Sequence, residues 1–191
     1  FYRLKKSTRF FVGLSATGYA FPGTILAIGI LHFLAQIEST AQLFMSGIIP
    51  YSNEVIVSGT IFVLIIAYLT RFNAVGFGSV TAGLEQIPRD LMSASQLLGR
   101  RFFGSVWSIM IPNLWPSILA GGLLLFVDIM KELPLTLLLR PLNFDTFSTI
   151  TYQLAKDEML EQAAYPALCI VLSGLIPVII ANKALSKIAR K

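Results

Sequence analysis

Side chains able to do covalent or metal chemistry are few in this chain, and they do not cluster along it. It has a single histidine, His32, and a single cysteine, Cys169, so we expect neither an internal disulfide nor a cysteine or histidine metal cluster. The sequence contains no Gly-x-x-x-x-Gly-Lys-Ser/Thr loop to cradle the phosphates of ATP, and no Ser/His/Asp set typical of a catalytic triad. These observations predict a protein with no catalytic site, no bound metal and no other cofactor of its own.

The functional candidates are instead charged residues at the end of an apolar stretch. Asp128 lies near the end of a run that reaches Met130, and Lys131, Glu132 and Pro134 follow. A carboxylate at membrane depth is costly and is therefore a functional candidate by default. The alternative is that Asp128 reaches headgroup water or pairs with Lys131 one turn further on. In that case Lys131 and Glu132 only cap or position the loop that follows.

The elements that must position these residues are membrane helices. Of the 191 residues 55% are hydrophobic and only 13% are charged, and the mean hydropathy is +0.73. A soluble domain needs more charge to cover its surface, and an apolar stretch of about 20 residues crosses a bilayer as a helix. The sequence therefore predicts an all-α, polytopic transmembrane bundle that forms a single domain. The predicted spans are about 14–34, 55–70, 112–130 and 164–185.

The basic residues are divided unequally between the connections of these spans. Cytoplasmic loops carry the excess of Lys and Arg, so the division predicts that both termini and the loop 71–111 are cytoplasmic and that 131–163 is periplasmic. The net charge of +5 is then a topology signal rather than a sign of nucleic-acid binding. Twelve basic residues fall on the first side, Arg3, Lys5, Lys6, Arg9, Arg71, Arg89, Arg100, Arg101, Lys183, Lys187, Arg190 and Lys191, and three on the other, Lys131, Arg140 and Lys156.

A short helix is predicted inside the loop, over residues 86–99, and a second helix is predicted to begin near Ser105 and to run into the third span. Pro88 suits the first helical position, where its missing N–H costs nothing, and Asp90 lies in the first turn, near the positive end of the helix dipole. Gly99 suits the left-handed position just past the helix end. This helix either lies on the lipid headgroups or docks a soluble partner, and its residues alone favour neither reading.

The residues from this helix onward resemble the cytoplasmic signature of binding-protein-dependent permeases. That signature reads Glu-Ala-Ala, three residues, Gly, nine residues, Ile, one residue, Leu, Pro. The chain has Ser93-Ala94-Ser95, then Gly99, then Ile109-Met110-Ile111-Pro112 at the same spacing. It departs from the pattern at Ser93, where the family has a Glu that helps to hold the loop in a groove of the ATPase, and at Ser95.

Three further segments are similar to the permeases of ferric-iron-type importers. They are residues 19–24, residues 84–88 and, most specifically, residues 131–146. The similarity extends over about residues 13–185 and is to the second half of a two-half permease without its opening helix. It implies a type I permease core of four to five spanning helices plus cytoplasmic coupling helices. The residues that it implies for the ATPase-coupling loop are Glu85, Pro88, Ser93, Ala94, Ser95, Gly99, Ile109 and Pro112. The candidates for the translocation path or its gate remain the residues at the end of the third span, Asp128, Lys131, Glu132 and Pro134.

The resemblance also implies the activity and the partners. The expected protein is the permease of an ATP-driven importer in the bacterial inner membrane, which moves ferric iron delivered by a periplasmic binding protein. Its expected partners are ATP-binding cassette subunits, the binding protein, a second permease half or copy, and the bilayer, but no nucleic acid. Similar permeases serve thiamine and phosphonate importers, so these substrates are alternatives. A membrane-embedded enzyme and an assembly subunit are alternatives of a different class.

Overall fold

The computed structural model describes residue 13 and the ranges 17–45 and 59–189. Within these ranges all regular structure is helical and no strand occurs, which confirms the predicted all-α fold. After a helical turn at residues 17–20, the described helices are α1 (Gly23–Met45), α2 (Ile61–Gln86), α3 (Arg89–Leu97), α4 (Phe102–Met130), α5 (Pro134–Leu139), α6 (Phe147–Lys156) and α7 (Leu160–Ala189).

Four of these helices, α1, α2, α4 and α7, are long and apolar enough to cross a membrane. That number was predicted, but the boundaries differ. Residues 71–86, predicted as loop, are helical because α2 continues to Gln86. The prediction ended the span at a charge, Arg71, which in the structure is neutralised by Glu132. The connection between the two spanning helices is therefore much shorter than the predicted loop 71–111.

The helix predicted to begin near Ser105 and to run into the third span begins at Phe102, so the spanning helix α4 is longer than the predicted span 112–130. A π-helical stretch, Val106–Met110, lies inside it and immediately precedes Pro112. A proline inside an α-helix clashes with the carbonyl four residues earlier. The carbonyl four residues before Pro112 belongs to Ser108, which lies in the π-helical stretch, so regular α-helical geometry is interrupted at that point.

Close contact between small residues joins α2 to α4. A Cβ atom added to Gly121 would lie 2.4 Å from the Cβ atom of Ser79, and one added to Gly83 would lie 2.6 Å from the Cβ atom of Ser117. Because Ser79 faces Gly121 and the later Gly83 faces the earlier Ser117, the two helices run antiparallel. Small residues at such a contact let two membrane helices approach closely.

The buried apolar core lies at the other end of α2, where α1 and α5 pack against it. It consists of Ala27 from α1, Val63, Leu64 and Ala67 from α2, and Leu135 and Leu139 from α5. Residues 131–163, predicted as one periplasmic segment, thus contain two helices, α5 and α6, and α5 contributes to this core. Many large apolar side chains on the outer faces are exposed, as expected where lipid or another subunit covers a helix.

Helix α1 starts after a break in the predicted first span. Residues 17–20 form a helical turn, Phe21 and Pro22 are not helical, and α1 begins at Gly23. Pro22 has no N–H to donate to a preceding carbonyl, which favours an interruption at this point. The predicted span 14–34 is therefore divided in the structure, and its residues 14–16 lie outside the described part. We refer to Phe21 and Pro22 as the α1 break.

Candidate functional site

The predicted docking helix is present as α3, with the end that the sequence indicated. Pro88 lies one position before the helix rather than at its first residue, and Asp90 is in the first turn. Gly99 has φ +82°, in the left-handed region predicted for it. The N–H of Gly99 donates to the carbonyl of Gln96 at 3.0 Å, and the N–H of Arg100 donates to that of Ser95 at 3.2 Å. These bonds satisfy carbonyls at the helix end.

One side of α3 is fixed to α4 through two buried hydroxyl groups. The Oγ atoms of Ser95 and Ser105 lie 2.7 Å apart, and the two residues are only 4% and 0% exposed. Ser105 Oγ also donates to the carbonyl of Arg101 at 3.3 Å. Its single proton is then used, so Ser95 is the donor to Ser105. Sequence reasoning treated Ser95 only as a departure from the family's Ala and missed its partner.

A second link lies three residues further along α4. The guanidinium Nη1 of Arg100 donates to Ser108 Oγ, which itself donates to the carbonyl of Gly104 at 2.7 Å. Ser108 belongs to the π-helical stretch that contains Ile109. The predicted loop residues Ile109 and Pro112 are thus part of helix α4. We call the Ser95–Ser105 and Arg100–Ser108 pairs together the α3–α4 junction.

The other side of α3 faces outward. Ser93 and Ala94 are exposed, as is Glu85 at the end of α2. Leu97 and Leu98, at the end of α3, are 88% and 85% exposed. Two adjacent leucines this exposed need cover from lipid or from another protein. The structure brings Ser93, Ala94 and Gly99 together on one short element, whereas Pro112 lies in the first turn of the α-helical part of α4.

The second candidate region lies where α4 ends. Lys131 Nζ is 2.9 Å from Asp128 Oδ1, and their side chains are 63% and 21% exposed. This is the local pairing that the sequence offered as the alternative to a functional carboxylate. Pro134 occupies the start of α5 and is exposed.

Glu132 does not share the environment of Lys131. Its side chain is 8% exposed, and its Oε2 lies 3.3 Å from Nε of Arg71, whose side chain is 18% exposed. Glu132 Oε1 also accepts from the N–H of Leu135 at 3.2 Å, which caps α5. Glu132 thus caps the element that follows it, as in the alternative reading of Lys131 and Glu132, but its charged partner comes from α2.

Arg71 was not among the predicted site residues. It was assigned to the cytoplasmic loop but lies well inside α2. Its Nη1 donates to the carbonyl of Phe21, in the α1 break, at 3.2 Å. A signal was available, because Arg71 is the only charged residue in 61–84, and a lone charge in so long an apolar stretch indicates a functional position.

Hydroxyl groups hold the backbone of Glu132 as well. Thr136 Oγ1 donates to its carbonyl at 2.8 Å, and Ser148 Oγ, from α6, donates to the same oxygen at 3.0 Å. Because the Thr136 proton is used in this way, Tyr68 is the donor in its hydrogen bond with Thr136. Helices α2, α5 and α6 therefore all contribute to fixing Glu132.

Gly23, the first residue of α1, lies against the ion pair. A Cβ atom added there would lie 2.8 Å from Arg71 Nη1 and 2.8 Å from Glu132 Oε1. We call Phe21, Gly23, Arg71 and Glu132 the charged cluster. Among the described residues no group of three or more His, Cys, Asp or Glu side chains is placed to hold a metal ion.

The fold and these two regions define a polytopic helical membrane protein in which a short exposed helix is attached to one end of a spanning helix. The family model of the binding-protein-dependent transport system inner membrane component matches residues 1–191, and the chain belongs to this family of transport permeases. It is similar to the Fe(3+)-transport system permease protein FbpB 2 of Haemophilus influenzae, with 30% identity over 165 residues. The alignment covers 86% of this chain but 29% of that relative's length. The similarity to ferric-iron-type permeases read from the sequence is confirmed.

Proposed function

We propose that this chain is a permease component of an ATP-driven importer that carries ferric iron across the bacterial inner membrane. The observation that carries the proposal is the position of the family signature. It begins on α3, which is exposed on one side and attached to the spanning helix α4 on the other, and it ends within α4, at Ile109 and Pro112. The similarity to the Fe(3+)-transport permease of Haemophilus influenzae supports iron as the substrate.

In this proposal α3 docks into a partner ATPase and transmits its movement to α4. Side-chain links run from Ser95 of α3 to Ser105 and from Arg100, just after α3, to Ser108 of α4, so a displacement of α3 acts on that helix. Together with a second permease half or copy, the spanning helices form a path that opens alternately to each side. A periplasmic binding protein delivers the solute, and the ATPase supplies the energy.

The test of function is uptake by the assembled complex in lipid vesicles. We expect uptake of radioactive ferric iron that requires ATP and the loaded binding protein. Uptake of thiamine or a phosphonate in place of iron would identify one of the alternative substrates. Stable assembly without ATP-dependent uptake of any of the three solutes would contradict a transport role and support an assembly subunit.

Sidedness is part of the proposal, with α3 and both termini in the cytoplasm and 131–163 on the periplasmic side. The test uses single cysteines in a Cys169→Ser background, because the natural Cys169 is exposed. A membrane-impermeant thiol reagent added to intact cells should label Leu142→Cys, at a position 95% exposed, and leave Ser93→Cys unlabelled. The reverse pattern would invert the topology.

Docking of α3 is tested at Ser93, which stands where the family has a carboxylate. A charge-assisted hydrogen bond contributes about 1.5–3 kcal/mol when well formed. Ser93→Glu should therefore strengthen ATPase binding severalfold if the groove has kept a basic partner. It should weaken binding severalfold if the groove has not, because the carboxylate is then desolvated alone. Unchanged ATPase affinity, with no crosslink from Ser93→Cys to the ATPase, would show that α3 rests on the membrane surface.

A further inference from the structure

The charged cluster is an unusual way to hold these helices together. Arg71 and Glu132 have side-chain exposures of 18% and 8%, and their partners include no second carboxylate or guanidinium among the described residues. Removing two charges from water costs about as much as their attraction returns, so an apolar pair in the same place is often equally stable. Helix packing alone therefore does not require this pair.

The geometry of the pair leaves one of its donors poorly satisfied. Arg71 Nε is buried and lies 3.3 Å from Glu132 Oε2, yet the two atoms are not aligned as a hydrogen bond, and Nε has no other partner. Arginine and a carboxylate bind best through two parallel hydrogen bonds. Here Nη1 turns to the carbonyl of Phe21 instead. The guanidinium therefore contacts the α1 break through Nη1 and the turn after α4 through Nε.

The three elements that meet here are separate in the chain and are held at one point. Gly23 begins α1, Arg71 lies inside α2, and Glu132 is the second residue after α4. The space at Gly23 is filled by both charged side chains. A displacement of α4 relative to α2 would therefore change the Arg71–Glu132 contact and the packing at the start of α1 together.

We propose that the charged cluster is a latch that closes the bundle at the α1 break and has to open and close again in each transport cycle. Glu132 is attached to α4, whose opposite end carries the α3–α4 junction, so movement of the docking helix reaches the latch through α4. In the closed state Arg71 holds both Phe21 and Glu132. In the open state this contact is broken and the start of α1, where Gly23 and Ala27 are buried, becomes accessible to water. The proposal rests on the proposed transport function.

The first test changes the space available at the latch and leaves both of its charged residues in place. It uses the complex with its ATPase in lipid vesicles, with Cys169→Ser and a reporter Ala27→Cys, at a position one turn into α1 that is 0% exposed. We expect the rate of labelling by a water-soluble maleimide to differ severalfold between the nucleotide-free and the ATP-bound complex. Gly23→Ala forces the charged side chains apart. The nucleotide-free and the ATP-bound complex of this variant should therefore both be labelled at the rate of whichever state is labelled faster in the unsubstituted complex. Gly29→Ala, on the same helix with no atom within 4 Å of its added Cβ, should behave like the unsubstituted complex.

The second test removes the charges and keeps the packing. In the double variant Arg71→Met/Glu132→Gln, the amide introduced at position 132 carries no charge, but its side-chain oxygen can still accept from the N–H of Leu135 and cap α5. We expect thermal unfolding close to that of the unsubstituted protein, together with loss of the nucleotide-dependent difference in labelling. Arg71→Lys, which keeps the charge, should retain part of that difference.

Two results would overturn the latch. One is a labelling rate in the unsubstituted complex that does not depend on nucleotide. The other is a normal nucleotide response in Arg71→Met/Glu132→Gln, which would show that the pair only fills space. Iron uptake is measured in the same vesicles. Absent uptake with an intact nucleotide response would refute the proposed function and leave the latch standing.

Discussion

The two ends of α4 are attached to the rest of the molecule by different chemistry. At its start the α3–α4 junction uses a neutral hydroxyl pair, Ser95 and Ser105, and an exposed arginine. At its end Glu132 forms a buried ion pair with Arg71. The first attachment joins neighbours in sequence, about ten residues apart, whereas the second joins residues 61 positions apart (71 and 132).

This difference in chemistry determines how much stability is lost when one residue of each attachment is replaced. A neutral hydrogen bond contributes about 0.5–1.5 kcal/mol net, so its loss is modest. An ion pair adds little beyond an apolar pair, but removal of one partner leaves a buried charge uncompensated and costs about 3–5 kcal/mol. The junction at α3 thus tolerates substitution, and the charged cluster requires both of its charges or neither.

The largest expected effect follows from removing one charge of the cluster. Glu132→Leu leaves Arg71 with the Phe21 carbonyl as its remaining partner and should lower the free energy of unfolding by about 3–5 kcal/mol. Thermal unfolding of the purified protein in detergent measures this. The control is Asp128→Asn, which breaks the more exposed pair with Lys131 and should cost about 1 kcal/mol or less. Equal losses of unfolding free energy in Glu132→Leu and Asp128→Asn would contradict the claim that the buried carboxylate matters more than the more exposed one.

The next effect concerns the packing of α4 against α2. The contact lies between the two attached ends of α4. Gly121→Ala places a Cβ atom 2.4 Å from the Cβ atom of Ser79, and overpacking of this kind costs about 1–3 kcal/mol. The adjacent Gly122→Ala meets no atom within 4 Å and should be neutral or slightly stabilising. A destabilised Gly122→Ala with an unaffected Gly121→Ala would contradict the helix contact described above.

A smaller effect is expected at the end of α3. Gly99 has φ +82°, and an alanine in the left-handed region costs about 1–2 kcal/mol. Gly99→Ala should therefore destabilise the end of α3 and lower uptake while the protein remains inserted in the membrane. Gly104→Ala, in the helical first turn of α4 with open space around it, should instead stabilise by about 0.5–1 kcal/mol. The same sign for both substitutions would argue against this assignment of the helix end.

The smallest effect is expected at the hydroxyl pair itself. Ser95→Ala removes one neutral hydrogen bond and should cost about 0.5–1.5 kcal/mol, because Ser105 keeps its bond to the carbonyl of Arg101. Ser93→Ala, on the exposed side of the same helix, should leave unfolding unchanged. Chemical or thermal unfolding of the two variants side by side measures the difference, and a loss at Ser93 equal to that at Ser95 would contradict the buried link.

Local features of the chain were predictable from the sequence. Apolar runs revealed the four spanning helices, since every backbone polar group in a bilayer must be satisfied within a helix. The left-handed residue after α3 was predicted from a glycine just past the expected helix end, and Gly99 has that conformation. The spacing of Ala94, Gly99, Ile109 and Pro112 indicated the permease family, which the match over residues 1–191 confirms.

Only the tertiary structure decided which polar residues pair and, through them, where helices end. Arg71 looks like the end of a span because the sequence does not reveal that a carboxylate from beyond α4 neutralises it. Ser95 looks like a degenerate signature residue until Ser105 of the next helix is placed 2.7 Å away. Helix propensity and apolar periodicity act over a few residues, whereas the cost of a buried charge or hydroxyl depends on a partner that only the packing of distant helices supplies.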